Sequence, residues 1–412
     1  MLYKRSVQTE IKKWLHEEQI IFINGQRQVG KTSLLYLLQK DLENQKISKD
    51  RILHLNLEDF DVLRELNNSP KNLLSFLKSE EKNFVFLDEI QLLDNPSNFL
   101  KYIYDEYRKK IKIITTGSAN LEIKAKMQDS LVGRKISFFI KPLNFFEFIN
   151  FKKFKNLEYL KKDNIPNVIK KELKKLLDEY LIFGGLPEVV LQTNFEKKKK
   201  LLHEYVNTYI NKDIRVWGKM ENIQPFNNLL KILSVQIGNL INVNELSNTL
   251  KTHRKEIEKN IFLLENTFVT KKILPFYKNL RSQITKSSKI YFGDLGIRNM
   301  LIHNFNFPSE RSDNGALFEN FIFLELQKIN NSNLFFYRTV NKTEIDFILE
   351  KNAQIYPIEV KYKNLSKNID ERTLHNFIKK IKEAKGAFVV NLDFNQKGKI
   401  FYYDFLKFLN ET

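Results

Sequence analysis

Short apolar runs alternate with longer segments of helical apolar spacing through the first third of the chain. One run is Ile20–Ile23, and "SLLYLLQK" shortly after it places apolar residues three and four positions apart, as one face of a helix does. "NFVFL" and "IKIITT" are further runs with the length of a buried strand. Strands that alternate with helices predict an α/β fold built on a parallel sheet.

The last third, from about Lys289, shows a different order of patterns. "GALFENFIFLELQKI" is apolar all round, which predicts a helix buried on most sides. Three strand patterns follow, in "LFFYRTV", "TEIDFILE" and "QIYPIEVKYK". Next come a helix, "ERTLHNFIKKIKEAK", which we expect Gly386 to end as a C-cap, and a strand, "AFVVNLD". The predicted order is therefore α-β-β-β-α-β.

The segment "INVNELSNTLKTHRKEIEKNIFLLENTFVTKKILPF" lies between these parts and predicts two helices and a strand. Asn244 is placed to cap a short helix that ends at Leu250, and a second helix runs from Arg254 to Asn266. "FVTKKILPF" supplies a wing strand, and this order is typical of a winged helix. Protein contacts, or a plain helical spacer, are the alternative roles. The exposed side of the second helix carries the candidate DNA-binding residues, which are His253, Arg254, Lys255 and Lys259.

The formal net charge of the 412 residues is +19, which favours contact with polyanions, DNA first among them. Stretches such as "FEKKKKLL" are nevertheless more typical of a solvated helix face. The chain has no cysteine, so disulfides and thiolate zinc sites are excluded. No uncharged apolar run reaches about 18 residues, so we expect no membrane partner and a cytoplasmic protein.

"GQRQVGKT" is the most specific motif, because it follows a strand pattern and opens a helix. It matches G-x-x-x-x-G-K-[ST], in which backbone N–H groups surround phosphates at a helix N-terminus. Lys31 is predicted to reach the β- and γ-phosphates of ATP, and Thr32 to bind Mg²⁺. The predicted ATP-binding residues are Gly25, Gln26, Arg27, Gln28, Val29, Gly30, Lys31, Thr32 and Ser33.

Two further strand patterns end in residues suited to ATP hydrolysis. "NFVFLDEI" ends in Asp88, predicted to hold Mg²⁺ through water, and Glu89, predicted to orient the attacking water as its base. "IKIITTGSAN" ends in polar residues at the edge where an open α/β sheet holds its ligand. We expect Ser118 to sense the γ-phosphate, with Thr116 as the second choice and a plain turn as the alternative.

The acids in "TEIDFILEKNAQIYPIEVKYK" share strand faces, since side chains alternate with a period of two. A hairpin that pairs Ile348 with Pro357 sets Asp346 opposite Glu359, and it sets Glu344 opposite Lys361. Two carboxylates at opposed positions repel each other, and a divalent cation between them reverses that effect. A surface ion pair between Glu344 and Lys361 is the simpler alternative, although it leaves the other two acids unexplained.

This pattern predicts a second metal site, with Glu319 from the apolar helix completing the ligands Asp346 and Glu359. Lys361 is then placed to polarise a phosphate or to help activate a water. The spacing Asp346…Glu359-x-Lys361 resembles the PD-(D/E)xK nuclease signature, and Glu319 matches the early helical acid of that fold. The predicted strand order is also that of the restriction-endonuclease-like core. Both active DNA cleavage and binding without cleavage are compatible with the motif.

The order of "GQRQVGKT", "FVFLDEIQ", "TTGSAN", "SLVGRKISFFIKPLNFFEF" and "YLIFGGLPEVV" resembles prokaryotic AAA+ ATPases of the archaeal/bacterial type. These carry a C-terminal domain of uncharacterised function, often of the nuclease-like fold, and the resemblance runs from about Tyr3 to about Lys363. It implies a helical lid around Gly184-Gly185 and makes Arg134 a candidate arginine finger or sensor. Because arginine fingers of this kind act in trans, it also implies a homo-oligomer. The chain departs from the family at Gln26, where proline is usual.

The predicted architecture is an α/β chain of four parts. These are an AAA+ P-loop ATPase core at 1–150, a helical lid or linker at 151–215, a winged helix at 216–285 and a PD-(D/E)xK nuclease-like domain at 286–412. The predicted function is ATP hydrolysis by a protein that engages DNA and has a Mg²⁺-dependent nuclease-like domain. The alternative is a nucleotide-controlled switch whose C-terminal domains bind DNA or a partner without cutting.

Overall fold

The computed structural model describes residues 2–118, 131–162, 165–215, 218, 220, 223–277 and 279–411. The chain divides into two units. The first comprises Met1–Leu143 with Asn266–Phe268, and the second comprises Asn144–Glu265 with Val269–Thr412. The boundaries predicted at 150, 215 and 285 stay predictions.

The first unit alternates strands and helices. Its strands are β1 (Ile20–Gly25), β2 (Ile52–Asn56), β3 (Asn83–Asp88), β4 (Ile111–Ser118) and β5 (Lys135–Ile140). Among the described residues, its α-helices are Ser6–Lys12, Lys31–Asn44, Phe60–Asn68 and Pro96–Tyr107.

The five strands form one parallel sheet in the order β2-β3-β4-β1-β5. Parallel strands are covered on both faces, which explains why their sequences are nearly continuous apolar runs. β3, for example, is buried along its whole length. The predicted α/β fold with a parallel sheet is confirmed. Because Gly25 pairs with Ser118, the ends of β1 and β4 meet at the edge from which the phosphate-binding loop leaves.

Among the described residues, the second unit contains seven strands and the remaining helices. Its strands are β6 (Thr270–Ile273), β7 (Lys289–Phe292), β8 (Ser332–Arg338), β9 (Glu344–Lys351), β10 (Gln354–Val360), β11 (Ala387–Asn391) and β12 (Ile400–Asp404). Its α-helices are Phe145–Phe151, Asn167–Phe183, Pro187–Leu191, Phe195–Tyr205, Gln224–Val235, Val243–Leu250, Arg254–Asn266, Leu280–Thr285, Leu295–Leu301, Asn314–Leu326, Arg372–Lys380 and Phe405–Glu411.

A five-stranded mixed sheet in the order β12-β11-β10-β9-β8 forms the core of its C-terminal part. β8, β9 and β10 are antiparallel neighbours, while β10, β11 and β12 run parallel. Ile348 pairs with Pro357, so the predicted hairpin register is confirmed. The helix Asn314–Leu326 is buried on most sides, also as predicted, because most of its side chains are apolar.

Two helix ends differ from the prediction. The helix predicted to run to Gly386 ends at Lys380, because the next residue, Ile381, is buried in an extended conformation. The helix Val243–Leu250 is capped by Asn242, not Asn244, since the Asn242 side chain accepts the backbone N–H of Glu245 at 3.2 Å.

The "FGG" turn at Gly184 makes a close contact with the start of the helix Leu295–Leu301. Gly184 has φ 74°, and a Cβ there would overlap the carboxylate of Asp294. That carboxylate accepts the N–H of Gly185 at 2.7 Å and the N–H of Ile297 at 3.0 Å. Burial raises the pKa of Asp294 to about 6, although these backbone hydrogen bonds act to lower it. Glycine is therefore required at this turn by a buried carboxylate far along the chain.

None of the helices in the described part of the chain has both the length and the apolar character that a membrane crossing requires.

Candidate functional site

The phosphate-binding loop lies between the end of β1 and the helix that starts at Lys31. Gly30 has φ 90° and stands at the N-cap, and Gln28 has φ 60°. Gly25 admits no side chain, because a Cβ would overlap the carbonyl of Ile140. Such a loop turns backbone N–H groups inward at the positive end of a 14-residue helix. The local geometry is that of an anion site.

Two long side chains hold this loop in place. Arg5, which is buried, donates to the carbonyl of Val29 at 2.8 Å and to that of Lys141 at 2.8 Å. Gln26, at the position where the resembling family has proline, donates from Nε2 to the carbonyl of Phe268. Proline stiffens a loop by fixing φ. Gln26 replaces that restriction with a side-chain anchor.

Lys31 is 5% exposed and its Nζ contacts the loop's own carbonyls, at 3.0 Å from Gln26 and 3.4 Å from Gly25. Its Nζ also lies 4.0 Å from Glu89 Oε1. Burial lowers the pKa of Lys31, although Glu89 and Asp88 oppose that shift. An ammonium group held at the mouth of such a loop is ready to exchange carbonyl contacts for phosphate oxygens.

Asp88, Glu89 and Thr116 form a hydrogen-bonded group at the ends of β3 and β4. The Thr116 hydroxyl donates to Asp88 Oδ1 and accepts the backbone N–H of Glu89 at 2.9 Å. Glu89 has φ 58° and ψ 50°, a left-handed conformation that is costly outside glycine and is typical of functional positions. The Gln91 side chain donates to the Glu89 carboxylate. The predicted pair of acids is therefore held in a fixed orientation beside the phosphate-binding loop.

Two predicted residues relate differently to this group. Ser118 pairs with Gly25 in the sheet, so its backbone lies at the loop, while Thr116 makes the contacts with both acids. Arg134 lies just before β5, at the opposite edge of the sheet, roughly 17 Å along β1 from the loop at about 3.3 Å per residue. Its guanidinium is paired with Asp105, with Nε 2.7 Å from Oδ1. The fold thus separates Arg134 from the phosphate-binding loop of its own chain.

The second predicted site contains a cation that the sequence reasoning missed. Lys289 on β7 is 2% exposed, and its Nζ lies 3.2 Å from Glu319 Oε1 and 2.6 Å from Glu344 Oε1. The hydroxyl of buried Tyr291 donates to the same oxygen of Glu319. Burial alone lowers the pKa of a lysine, but Glu319, Asp346 and Glu344 outweigh it and raise the pKa of Lys289.

The other two predicted metal ligands also have partners within the protein. Asp346 Oδ2 accepts the backbone N–H of Val360 at 2.7 Å, and Glu359 pairs with Lys361. Burial, and next the charge of Asp346, raise the pKa of Glu319 to about 7 and that of Glu359 to about 7. The predicted pair of Glu344 with Lys361 is not formed, because Glu344 is bound by Lys289 and Arg338 instead.

Across the described ranges, no three or more His, Asp or Glu side chains are arranged to hold a metal ion. The assignment of Glu319, Asp346 and Glu359 as metal ligands stays a prediction.

Comparison with known proteins decides the family. Residues 17–149 match an AAA domain, 174–307 a domain of unknown function (DUF8612), and 314–403 a domain of unknown function (DUF4143). The uncharacterized protein MJ1544 of Methanocaldococcus jannaschii is 30% identical over 390 residues, which are 92% of this chain and 82% of that protein. This chain belongs to the family of AAA-domain proteins with a C-terminal DUF4143 domain.

Other members and neighbours are more distant. An uncharacterized protein of Haemophilus influenzae is 26% identical over 348 residues, 82% of each chain. Among solved structures, the Walker-type ATPase PABY2304 of Pyrococcus abyssi aligns with a TM-score of 0.46 and 13% identity, over 73% of this chain and 96% of that one. Membership of this family establishes that the chain has an AAA-type P-loop ATPase domain. The phosphate-binding loop of this domain lies between β1 and the helix that starts at Lys31.

The helix Arg254–Asn266 has the bounds predicted for the recognition helix of this AAA-domain protein. All four candidate DNA-binding residues are exposed. Arg254 pairs with Glu258 at 2.9 Å, and Lys259 lies 3.9 Å from Glu256. Three basic and three acidic side chains give the helix a formal charge of zero. The winged helix and its contact with DNA stay predictions.

The sequence patterns did not reveal three residues that matter to these sites, which are Arg5, Lys289 and Tyr291. Arg5 and Lys289 stand in charged stretches, "YKRS" and "KSSK", which resemble ordinary surface sequence. The one available signal was in "KIYF", where Lys289 and Tyr291 share a strand face by the period of two. A lysine that shares a strand face with a buried tyrosine is itself buried, so it needs an acid as its partner. Glu319 was the buried acid for which the sequence offered no cation.

Proposed function

We propose that the chain binds and hydrolyses ATP with Mg²⁺ at the phosphate-binding loop, and that the nucleotide state controls how its second unit engages DNA. The observation that carries the first part is the group formed by Thr116, Asp88 and Glu89 next to Lys31. Glu89 is held beside the phosphate-binding loop in a left-handed conformation that costs free energy. This indicates that it is kept there for function and not for stability.

The chain's own groups have distinct tasks in this proposal. The hydroxyl of Thr32 and the carboxylate of Asp88 would hold the Mg²⁺ that ATP brings, since hydroxyl and carboxylate oxygens are the ligands this ion prefers. When bound, the ion offsets negative charge on the phosphates. Lys31 moves from loop carbonyls to phosphate oxygens. Glu89, oriented by the Thr116 hydroxyl and by Gln91, accepts a hydrogen bond from the attacking water and then its proton.

Support for DNA as the polyanion comes from the charge and from the exposed basic residues of the predicted recognition helix. The net charge of +19 gives favourable long-range attraction to DNA at low salt. Of the two predicted roles for the C-terminal domain, the contacts of Lys289 favour binding over cutting, because a protein cation already lies among the acids.

A role for Arg134 at ATP requires a second copy of the chain. Its place at the far edge of the sheet excludes contact with its own loop, so the predicted arginine finger is possible only in trans. A homo-oligomer in the ATP-bound state is therefore part of the proposal.

The test measures DNA binding and ATP hydrolysis on the same full-length protein. Fluorescence anisotropy with duplex and forked DNA is recorded with ADP, with ATP and with a non-hydrolysable ATP analogue, alongside phosphate release. We expect Mg²⁺-dependent hydrolysis and a DNA affinity that differs between nucleotide states, and we expect Lys31→Ala to lose both. Equal DNA affinity in all states overturns the control of DNA binding, and unchanged ATP affinity in Lys31→Ala overturns the assignment of the loop.

A further inference from the structure

Lys289 is the least exposed cation of the C-terminal acidic cluster, which we define as Glu319, Glu344, Asp346 and Glu359. It is 2% exposed, whereas Lys361 is 35% exposed. Its strand, β7, pairs with β6 and lies outside the five-stranded sheet. Its ammonium bridges an acid of the helix Asn314–Leu326 to an acid of β9. Lys289 therefore joins three separate elements of the second unit through charge.

Every acid of this cluster has a donor from the protein. Glu319 has Lys289 and Tyr291, and Glu344 has Lys289 and Arg338 at 2.8 Å. Asp346 has the N–H of Val360, and Glu359 has Lys361. Three cations thus face four carboxylates, so the negative charge that attracts a divalent ion is largely cancelled.

The Glu319 oxygen Oε1 is also already engaged by protein donors. It receives two of them, from Lys289 and from Tyr291. A divalent ion bound between Glu319 and Asp346 would lie beside the buried ammonium, and like charges in a buried site repel strongly. The residues present do not fit a three-carboxylate metal site.

We propose that the Lys289 ammonium occupies the place of a divalent cation in the acidic cluster, so that the C-terminal domain holds its acids with an internal lysine and binds no catalytic metal. This deepens the proposed function, because it assigns the domain to engaging DNA without metal-dependent cleavage. The exclusion of the metal itself depends only on the geometry of the second unit.

The test is a titration of the full-length chain with Mn²⁺ and no nucleotide, with free Mn²⁺ followed by its EPR signal. Wild type is compared with Asp346→Asn and Glu359→Gln, and any Mn²⁺ bound in the first unit is common to all three. We expect the same number of bound ions in each. A wild type that binds one more Mn²⁺ than both variants overturns the proposal.

A second comparison tests the role of the ammonium directly. Lys289→Met keeps the length and burial of the side chain and removes its charge. We expect it to gain one Mn²⁺ site, and we expect the double variant with Asp346→Asn to lose that site again. A folded Lys289→Met protein without an additional site contradicts the claim that the ammonium excludes the ion. If Lys289→Met does not fold, the comparison of wild type with Asp346→Asn and Glu359→Gln still decides the matter.

ATP hydrolysis, measured on the same samples, separates this proposal from the proposed function. Absence of hydrolysis in wild type contradicts the ATPase assignment and leaves the Mn²⁺ counts unaffected. Cleavage of duplex or forked DNA by wild type with Mg²⁺, lost in Asp346→Asn, contradicts the present proposal and leaves the ATPase assignment standing.

Discussion

The Thr116 hydroxyl accepts the backbone N–H of Glu89, with 2.9 Å between Oγ1 and N. The same hydroxyl donates to Asp88, so one buried side chain orients the acid predicted to hold Mg²⁺ and the backbone of the acid predicted to act as base. Thr116 is also the second candidate for sensing the γ-phosphate, and that role stays a prediction. From its contacts we expect a further task, which is to position the two acids.

Replacing Thr116 by valine keeps the shape of the side chain and leaves both partners unsatisfied. An unsatisfied buried group costs about 1–3 kcal/mol, so we expect kcat for ATP hydrolysis to fall by about ten- to a hundredfold. ATP binding should change little, and Thr116→Ser, which restores the hydroxyl, should recover most of the rate. Wild-type kcat in Thr116→Val contradicts the positioning role.

Gly184→Ala tests the contact between the "FGG" turn and Asp294. The new Cβ adds a steric overlap with the carboxylate to the cost of φ 74°, so we expect a loss of about 3 kcal/mol or more in the free energy of unfolding. Gly133→Ala is the matched control, because Gly133 has the same φ and a Cβ there meets nothing within 4 Å. It should cost about 1–2 kcal/mol. Equal shifts in the thermal unfolding of both variants contradict the role of Asp294.

Glu258→Gln tests whether the predicted recognition helix contacts DNA. The change neutralises the acid that pairs with Arg254 and so removes one negative charge that repels phosphates. We expect tighter DNA binding and a salt slope steeper by about one, measured by anisotropy between low and moderate salt. Glu196→Gln is the control, since Glu196 pairs with Lys199 on a helix with no predicted DNA contact. If both changes alter the affinity equally, the helix has no specific part in DNA binding.

Local patterns predicted much of the fold and of the nucleotide site. The phosphate-binding loop is recognisable because its strand, glycines and helix are adjacent in sequence, and the buried strands β1 and β3 follow from continuous apolar runs. The pairing of Ile348 with Pro357 was predictable too, since a short turn and a period of two leave few registers for a hairpin.

The missed features depend on residues far apart in the chain. Lys289 and Glu319 are 30 positions apart, and Gly185 and Asp294 are 109 apart. Spacing alone does not reveal which strand reaches a buried acid, so the contact of Lys289 with Glu319 could not be predicted from the sequence. The helix predicted to end at Gly386 was misplaced for a related reason: burial of Ile381 in the core overrides the local C-cap signal.

The central claim is that Glu89 is the base for ATP hydrolysis at this loop. The most direct measurement is single-turnover hydrolysis of ATP by Glu89→Gln, with the ATP dissociation constant determined on the same protein. We predict ATP affinity close to that of wild type and hydrolysis slower by about 10²–10⁴-fold, the usual contribution of a general base. Hydrolysis by Glu89→Gln at the wild-type rate would contradict the claim.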